Sequence, residues 1–160
     1  METNALAFPN LEKAINNFIS DFINTYKVLL IRDNKKATGD LIKSIKPIEI
    51  EFSNNKMSGS ISLASYWKYI EYGRRPGKFP PPNKILDWIK IKPVIPRPVN
   101  GIKPTDKQLA FLISRKIARD GIKPGNQLEE ALNLSWAKNK DNISYAISAD
   151  LQEMINIIEI

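Results

Sequence analysis

The 160-residue sequence predicts an α+β fold: an antiparallel β-hairpin or small sheet covered by several helices, with a long proline-rich loop. Three observations predict it. Apolar residues recur at helical spacing over residues 11–30 and again from 105 to the end of the chain. Between them, over residues 48–63, the apolar period drops to two. Four prolines then fall within residues 92–104. The length suits one domain, and 42% hydrophobic with 26% charged residues is the make-up of a chain that buries a core. We therefore expect a single domain over 1–160, with 92–104 as an extended arm.

Leu11, Ile15, Phe18, Phe22 and Leu29 share one helical face, which Ile19, Ile23 and Tyr26 widen. Asn10 is the expected N-cap of this helix, and Asp33-Asn34 its end. Leu41, Ile42 and Ile45 then mark a short helical turn with Thr38 as its cap. Next, Ile48, Ile50 and Phe52 alternate with Glu49 and Glu51. Met57, Gly59, Ile61 and Leu63 alternate with serines beyond Ser53-Asn54-Asn55-Lys56. Alternation on both sides of a turn-forming tetrad is a hairpin with one buried face, and a lone hairpin needs helices or further strands to cover it.

The segment "YWKYIEYGRRPGKFPPPNKILDWIK", residues 66–90, follows. A helix from about Ala64 is expected to end at Gly73, whose freedom at positive φ suits a C-terminal cap. On that helix Tyr66, Trp67, Tyr69, Ile70 and Tyr72 would cover an arc of roughly 220°, with Lys68 and Glu71 on the remainder. Such an arc is wider than the roughly 100° a helix needs to sit on one sheet. Either the helix is sandwiched within its own fold or one edge, at Trp67 or Tyr72, faces a partner. Glu71, in the last turn, opposes the helix dipole, and Arg74 and Arg75 follow at once. They are either held by Glu71 or reach outward. Pro80, Pro81 and Pro82 stiffen the chain, and Pro82 opens a helix with Ile85, Leu86, Trp88 and Ile89 on its core face.

Beyond the arm, Thr105 and Gln108 form a capping box for a helix through Leu109, Leu112, Ile113 and Ile117, which Gly121 ends. Asn126 starts a helix through Leu128, Ala131, Leu132 and Trp136. A final run places Ile143, Ile147, Leu151, Met154 and Ile158 at helical spacing.

Composition constrains chemistry more than it directs it. The chain has no Cys and no His, so thiolate chemistry, disulfides, the commonest neutral-pH base and the usual zinc ligands are absent. No catalytic residue, metal ligand or cofactor is expected. Glu49 and Glu51 share a strand face and would be the pair for acid–base work, but alternation alone puts polar residues there. "GRRPGK" lacks both the spacing of a phosphate loop and a strand leading into it. The N-terminus lacks the pattern of a signal peptide, and no run approaches the ~20 apolar residues of a membrane span. A soluble intracellular protein, or one packed into something larger, is the expectation.

The aromatic and cationic residues therefore read as a docking surface: Tyr66, Trp67, Tyr69, Tyr72, Arg74, Arg75, Lys78, Phe79 and Arg97. Tyr, Trp and Arg are enriched at interfaces, and a proline-stiffened loop loses little entropy on docking.

At these residues the chain resembles a family. "YWKYIEYGRRPGKFPPPNKILDWI" followed by "LAFLISRKIARDGIKPGNQLEEAL" is similar to the small head–tail neck or tail-completion proteins of tailed bacteriophages. The shared features are Tyr69, Glu71 and Gly73, then Pro80 to Pro82 and Trp88-Ile89. Arg119-Asp120-Gly121-Ile122 with Pro124 follow, and "TGDLIKSI" (38–45) precedes. The chain departs from the pattern in its arm at 92–104. The resemblance implies a non-enzymatic α+β virion protein that forms a homo-oligomeric ring at the head–tail junction. Its partners there would be portal, connector and tail proteins and the DNA crossing the channel, with no membrane involved. Before assembly it would reside in the host cytoplasm.

The alternative is a basic nucleic-acid-binding module. The formal charge is +7, and Arg74, Arg75, Lys78, Lys84, Lys90, Arg97, Arg115, Lys116 and Arg119 would contact phosphates. Ordinary solubility charge accounts for them better, because acids are interspersed elsewhere in the chain.

Overall fold

A computed structural model describes residues 8–35, 39–53, 56–92, 94–96, 98, 101 and 103–158; for 48–53, 56, 57 and 158 it describes the backbone alone. Six helices and one hairpin are seen: α1 (Pro9–Arg32), α2 (Asp40–Ser44), β1 (Lys46–Ser53), β2 (Lys56–Ser62), α3 (Trp67–Glu71), α4 (Pro82–Ile91), α5 (Asp106–Asp120) and α6 (Gln127–Ile158). The fold is mostly helical with a two-stranded antiparallel sheet, as an α+β class requires. These elements gather into two compact units. One comprises residues 1–33, 45–63 and 127–160, the other 34–44 and 64–126.

The first unit is built on α1 and α6, which run antiparallel. At one end Gln127 donates to Asp33 at 2.9 Å, and Arg32 grips Glu130 through two bonds of 2.7 and 2.8 Å. Midway, Asn139 donates to Asp21 at 2.9 Å and Lys138 pairs with the same carboxylate. At the far end Ala14 packs with Ile143 and Ala146, and Leu11, Ile15 and Phe18 close over them. The two C-terminal runs that the sequence offers are one helix of 32 residues. Its buried positions are Gln127, Ala131, Ser135, Asn139, Ile143, Ala146 and Asp150, a helical series in which most members are small or polar. Of the apolar residues read at helical spacing, Ala131 and Ile143 are buried, and Leu132, Trp136, Ile147 and Leu151 are exposed.

The N-cap of α1 also differs from expectation. Asn10 lies inside the helix, Pro9 occupies its first position, and Phe8 at the N-cap makes no side-chain cap bond. The free amides are met by Asp150, from the other end of the chain. Its carboxylate accepts from the Asn10 N–H at 3.1 Å, the Leu11 N–H at 2.8 Å and the Asn10 amide at 2.7 Å. A first-turn N–H needs an acceptor, but nothing requires that acceptor to be the preceding residue.

The hairpin pairs Lys46 with Ser62, Pro47 with Ile61, Phe52 with Met57 and Ser53 with Lys56. Between Ile48 and Glu51 an extra residue on β1 shifts the register by one. The side chains of Glu49 and Glu51 lie outside those described. α1 covers the hairpin at Gly59, where an added Cβ would stand 2.6 Å from Ile19 Cδ1. Asn54 and Asn55 of the turn and Thr38, the expected cap of α2, lie outside the described residues.

In the second unit α4 packs on α5 through Ile89, Leu109 and Ala110, with Ile85, Leu86, Val94 and Ile113 around them. Trp88, expected in that core, is 37% exposed. Pro82 opens α4, and Thr105 with Gln108 forms the expected capping box of α5. Ser44 accepts from the Ala64 N–H at 2.9 Å while donating to the Leu41 carbonyl, which ties α2 to the start of the aromatic segment. No described helix is long and apolar enough to cross a membrane.

Candidate functional site

The aromatic segment folds differently from a helix begun at Ala64. A turn occupies Ser65-Tyr66, and α3 is only five residues long. Tyr66 and Tyr72, on either side of it, keep helical backbone angles. The polar residue Glu71 is turned inward, 3% exposed, while Tyr69 and Tyr72 stand 64% and 69% exposed. Backbone hydrogen bonding accounts for this inversion. The carbonyl of Glu71 accepts from Gly125 N–H at 2.9 Å and from Asn126 N–H at 3.4 Å, and that of Ile70 accepts from Gly125 at 3.0 Å. The 123–126 connection thus covers the end of α3 from which Glu71 projects.

The chain leaves α3 through Gly73 at φ +66°. Arg74 and Ile122 then exchange two backbone hydrogen bonds of 2.9 and 2.7 Å, a single antiparallel bridge. Both flanking glycines are required by this approach. A Cβ on Gly73 would lie 2.1 Å from the Ile122 carbonyl oxygen, and one on Gly121 would lie 2.3 Å from that of Arg74. Further along, Gly77 N–H donates to the Ala118 carbonyl at 2.8 Å, and the rings of Phe79 and Phe111 meet at 5.7 Å. Residues 74–79 therefore run back along α5, over the series Phe111, Ala118 and Ile122. Arg115 occupies the same side of α5, one turn beyond Phe111.

Of the expected site residues, Tyr66, Tyr69, Tyr72, Phe79, Arg75 and Lys78 are exposed, and Trp67 and Arg74 are half-buried. Trp67 supports Tyr72, ring centroids 5.8 Å apart. Partial burial pushes the Tyr66 pKa above the ordinary phenol value and Asp40 adds to the rise, against the Leu41 backbone hydrogen bond. The Arg74 guanidinium donates to the Lys78 carbonyl, which clamps the loop across its own turn. Arg97 lies outside the described residues. Phe111, Lys123 and Gly125 complete the corner and were not singled out in the sequence. Phe111 lies off the Leu109–Ile113 core face, and its i, i+7, i+11 relation to Ala118 and Ile122 was the available signal.

Elsewhere α1 and α6 flank a shallow polar cleft lined by Asn10, Lys13, Asn17, Asn139, Asn142 and Tyr145. The amide groups of Asn10 and Asn139 are committed to Asp150, Asp21 and the Ser135 carbonyl. Among the described residues no group of three acidic side chains is placed to hold a metal ion. Comparison of the chain with family models, with curated proteins and with solved structures finds no match.

Proposed function

We propose that this chain is a structural, non-enzymatic virion protein of a tailed bacteriophage, a subunit of the head–tail connector, neck or tail-adaptor ring, assembling through the corner at Tyr69, Tyr72 and Arg75. One observation carries the reading. The two segments that hold the resemblance, around Glu71–Gly73 and around Asp120–Pro124, are about 50 residues apart in sequence and are joined by the reciprocal Arg74–Ile122 bonds. Each glycine there is explained by the close approach of the other segment's backbone. The corner so built is held by backbone, while its rings and one guanidinium face outward. This is the arrangement of a rigid docking surface, since preorganised groups lose little entropy on binding. The proline-rich 92–104 segment, expected as an extended arm, lies partly outside the described residues.

The test is direct. Tailed particles from the host of this gene are purified and imaged by electron cryomicroscopy, and their proteins identified by mass spectrometry. The chain should be found as a ring between head and tail. Tyr69→Ala/Tyr72→Ala should fold, with an unchanged circular dichroism spectrum, yet block assembly of complete particles. Absence of the chain from the particles, or full assembly by the double variant, overturns the proposal.

A further inference from the structure

The charges of this chain are sorted by the fold. Residues 34–44 and 64–126 carry 17 of the 24 Lys and Arg but only 5 of the 17 Asp and Glu, a formal +12 against −5 for the other unit. Of those five acids, Glu71 is buried and Asp120 is held by Arg119 at 2.6 Å. The cations, by contrast, converge from separate elements. The Arg74–Ile122 bridge and the Gly77–Ala118 bond set Arg75 and Lys78 of the loop beside Arg115 and Arg119 of α5 and Lys123 beyond it. All five are exposed. Solubility charge has no need to be segregated; a mixed surface serves it better.

We infer that this basic unit binds the phosphate backbone of nucleic acid, reading charge and not base sequence, through Arg75, Lys78, Arg115 and Lys123. Nucleic acid fits better than an acidic protein segment for two reasons. Cations spread over a loop, a helix and the connection after it suit a ligand with regularly repeated charge. The exposed rings of Tyr69 and Tyr72 beside the loop offer stacking surfaces for unpaired bases. This inference does not use the ring assignment, since it rests on the placement of charge and of two exposed rings.

The experiment uses the full chain and fluorescein-labelled 25-mers of random sequence, duplex and single-stranded, with salt varied from 50 to 200 mM. Binding should weaken by about 150-fold over that range, a log–log slope of about −3.6, if four phosphates are neutralised at about 0.9 each. Arg75→Ala/Lys78→Ala should lower the affinity and reduce the slope by about two. Lys13→Ala/Lys140→Ala, in the acidic unit, should change neither. Equal binding of the two 25-mers identifies charge alone as the contact, whereas preference for the single strand adds the tyrosines. Three results overturn the inference: no binding at 50 mM salt by folded wild-type chain; the same slope for wild type and the loop variant; or displacement of the 25-mer by polyglutamate at equal charge concentration. The last would make an acidic protein the ligand. Tyr69→Ala/Tyr72→Ala particles that fail to assemble while the protein still binds duplex would separate this site's two roles.

Discussion

Gly73 and Gly101 share a left-handed backbone, φ +66° and +78°, yet they stand in different surroundings. Around Gly101 an added Cβ would meet nothing within 4 Å, whereas at Gly73 it would stand 2.1 Å from a backbone carbonyl that has no rotamer by which to yield. Gly101→Ala should cost about 1 kcal/mol, the left-handed penalty less the entropy removed from the unfolded chain. Gly73→Ala should cost about 3 kcal/mol or more, because it also breaks the Arg74–Ile122 bridge. Urea unfolding followed by circular dichroism measures both. Equal midpoints for the two variants would mean that the bridge is not a fixed feature. A cap at Gly73 was legible in the sequence from the apolar run before it. Its partner was not, because nothing local announces that Ile122 will lie against Arg74.

The pairing of α1 with α6 is specified by polar groups, and that gives it a pH dependence. Burial pushes the Asp150 carboxyl up, but the Leu11 and Asn10 amides outweigh it and hold its pKa below the ordinary value. Asp21 is likewise held down, by Asn139 and then Lys138. A carboxylate whose folded pKa is depressed contributes stability that is full above the unfolded value, near 3.9, and is lost as pH falls through the lower folded value. Wild-type melting temperature should therefore be level from pH 7 to about 5 and fall steeply below 4. Asp150→Asn keeps an acceptor without the charge, so it should melt lower at pH 7 and show a shallower acid loss. Asp150→Ala should cost about 1–2 kcal/mol at pH 7, the range for a lost N-cap. Parallel acid profiles for wild type and Asp150→Asn would remove Asp150 from the cause. This element also shows where sequence reading stops. The Thr105–Gln108 capping box was readable because both partners lie within four residues. The cap of α1 comes from 140 residues away. The buried face of α6 is only partly marked by apolar periodicity for a related reason: Ala131 and Ile143 lie on it, but so do Ser135, Asn139 and Asp150, each with a hydrogen-bond partner on α1.

Along the sequence acids and bases alternate closely enough to resemble ordinary solubility charge; the separation exists only after residues 34–44 and 64–126 have been gathered into one unit. That separation has a consequence for the molecule as a whole. A unit of formal charge +12 repels itself, which opposes its compact state, and salt screens such repulsion with a Debye length of about 10 Å at 0.1 M. In the other unit positive and negative groups meet directly, as in Arg32 with Glu130 and Lys138 with Asp21, so screening has less repulsion to relieve and weakens some attraction. Raising NaCl from 20 to 300 mM should therefore increase amide hydrogen-exchange protection in α4 and α5 while leaving α1 and α6 unchanged or slightly less protected. Short duplex DNA at low salt should have the same effect on α5 and the 74–79 loop, since a ligand that binds the folded unit stabilises it by mass action. Exchange measured peptide by peptide resolves the two units within one sample. Uniform protection by salt across all four helices would mean that the cations of the second unit are too far apart to repel, and the phosphate-binding inference would lose the charge density on which it depends.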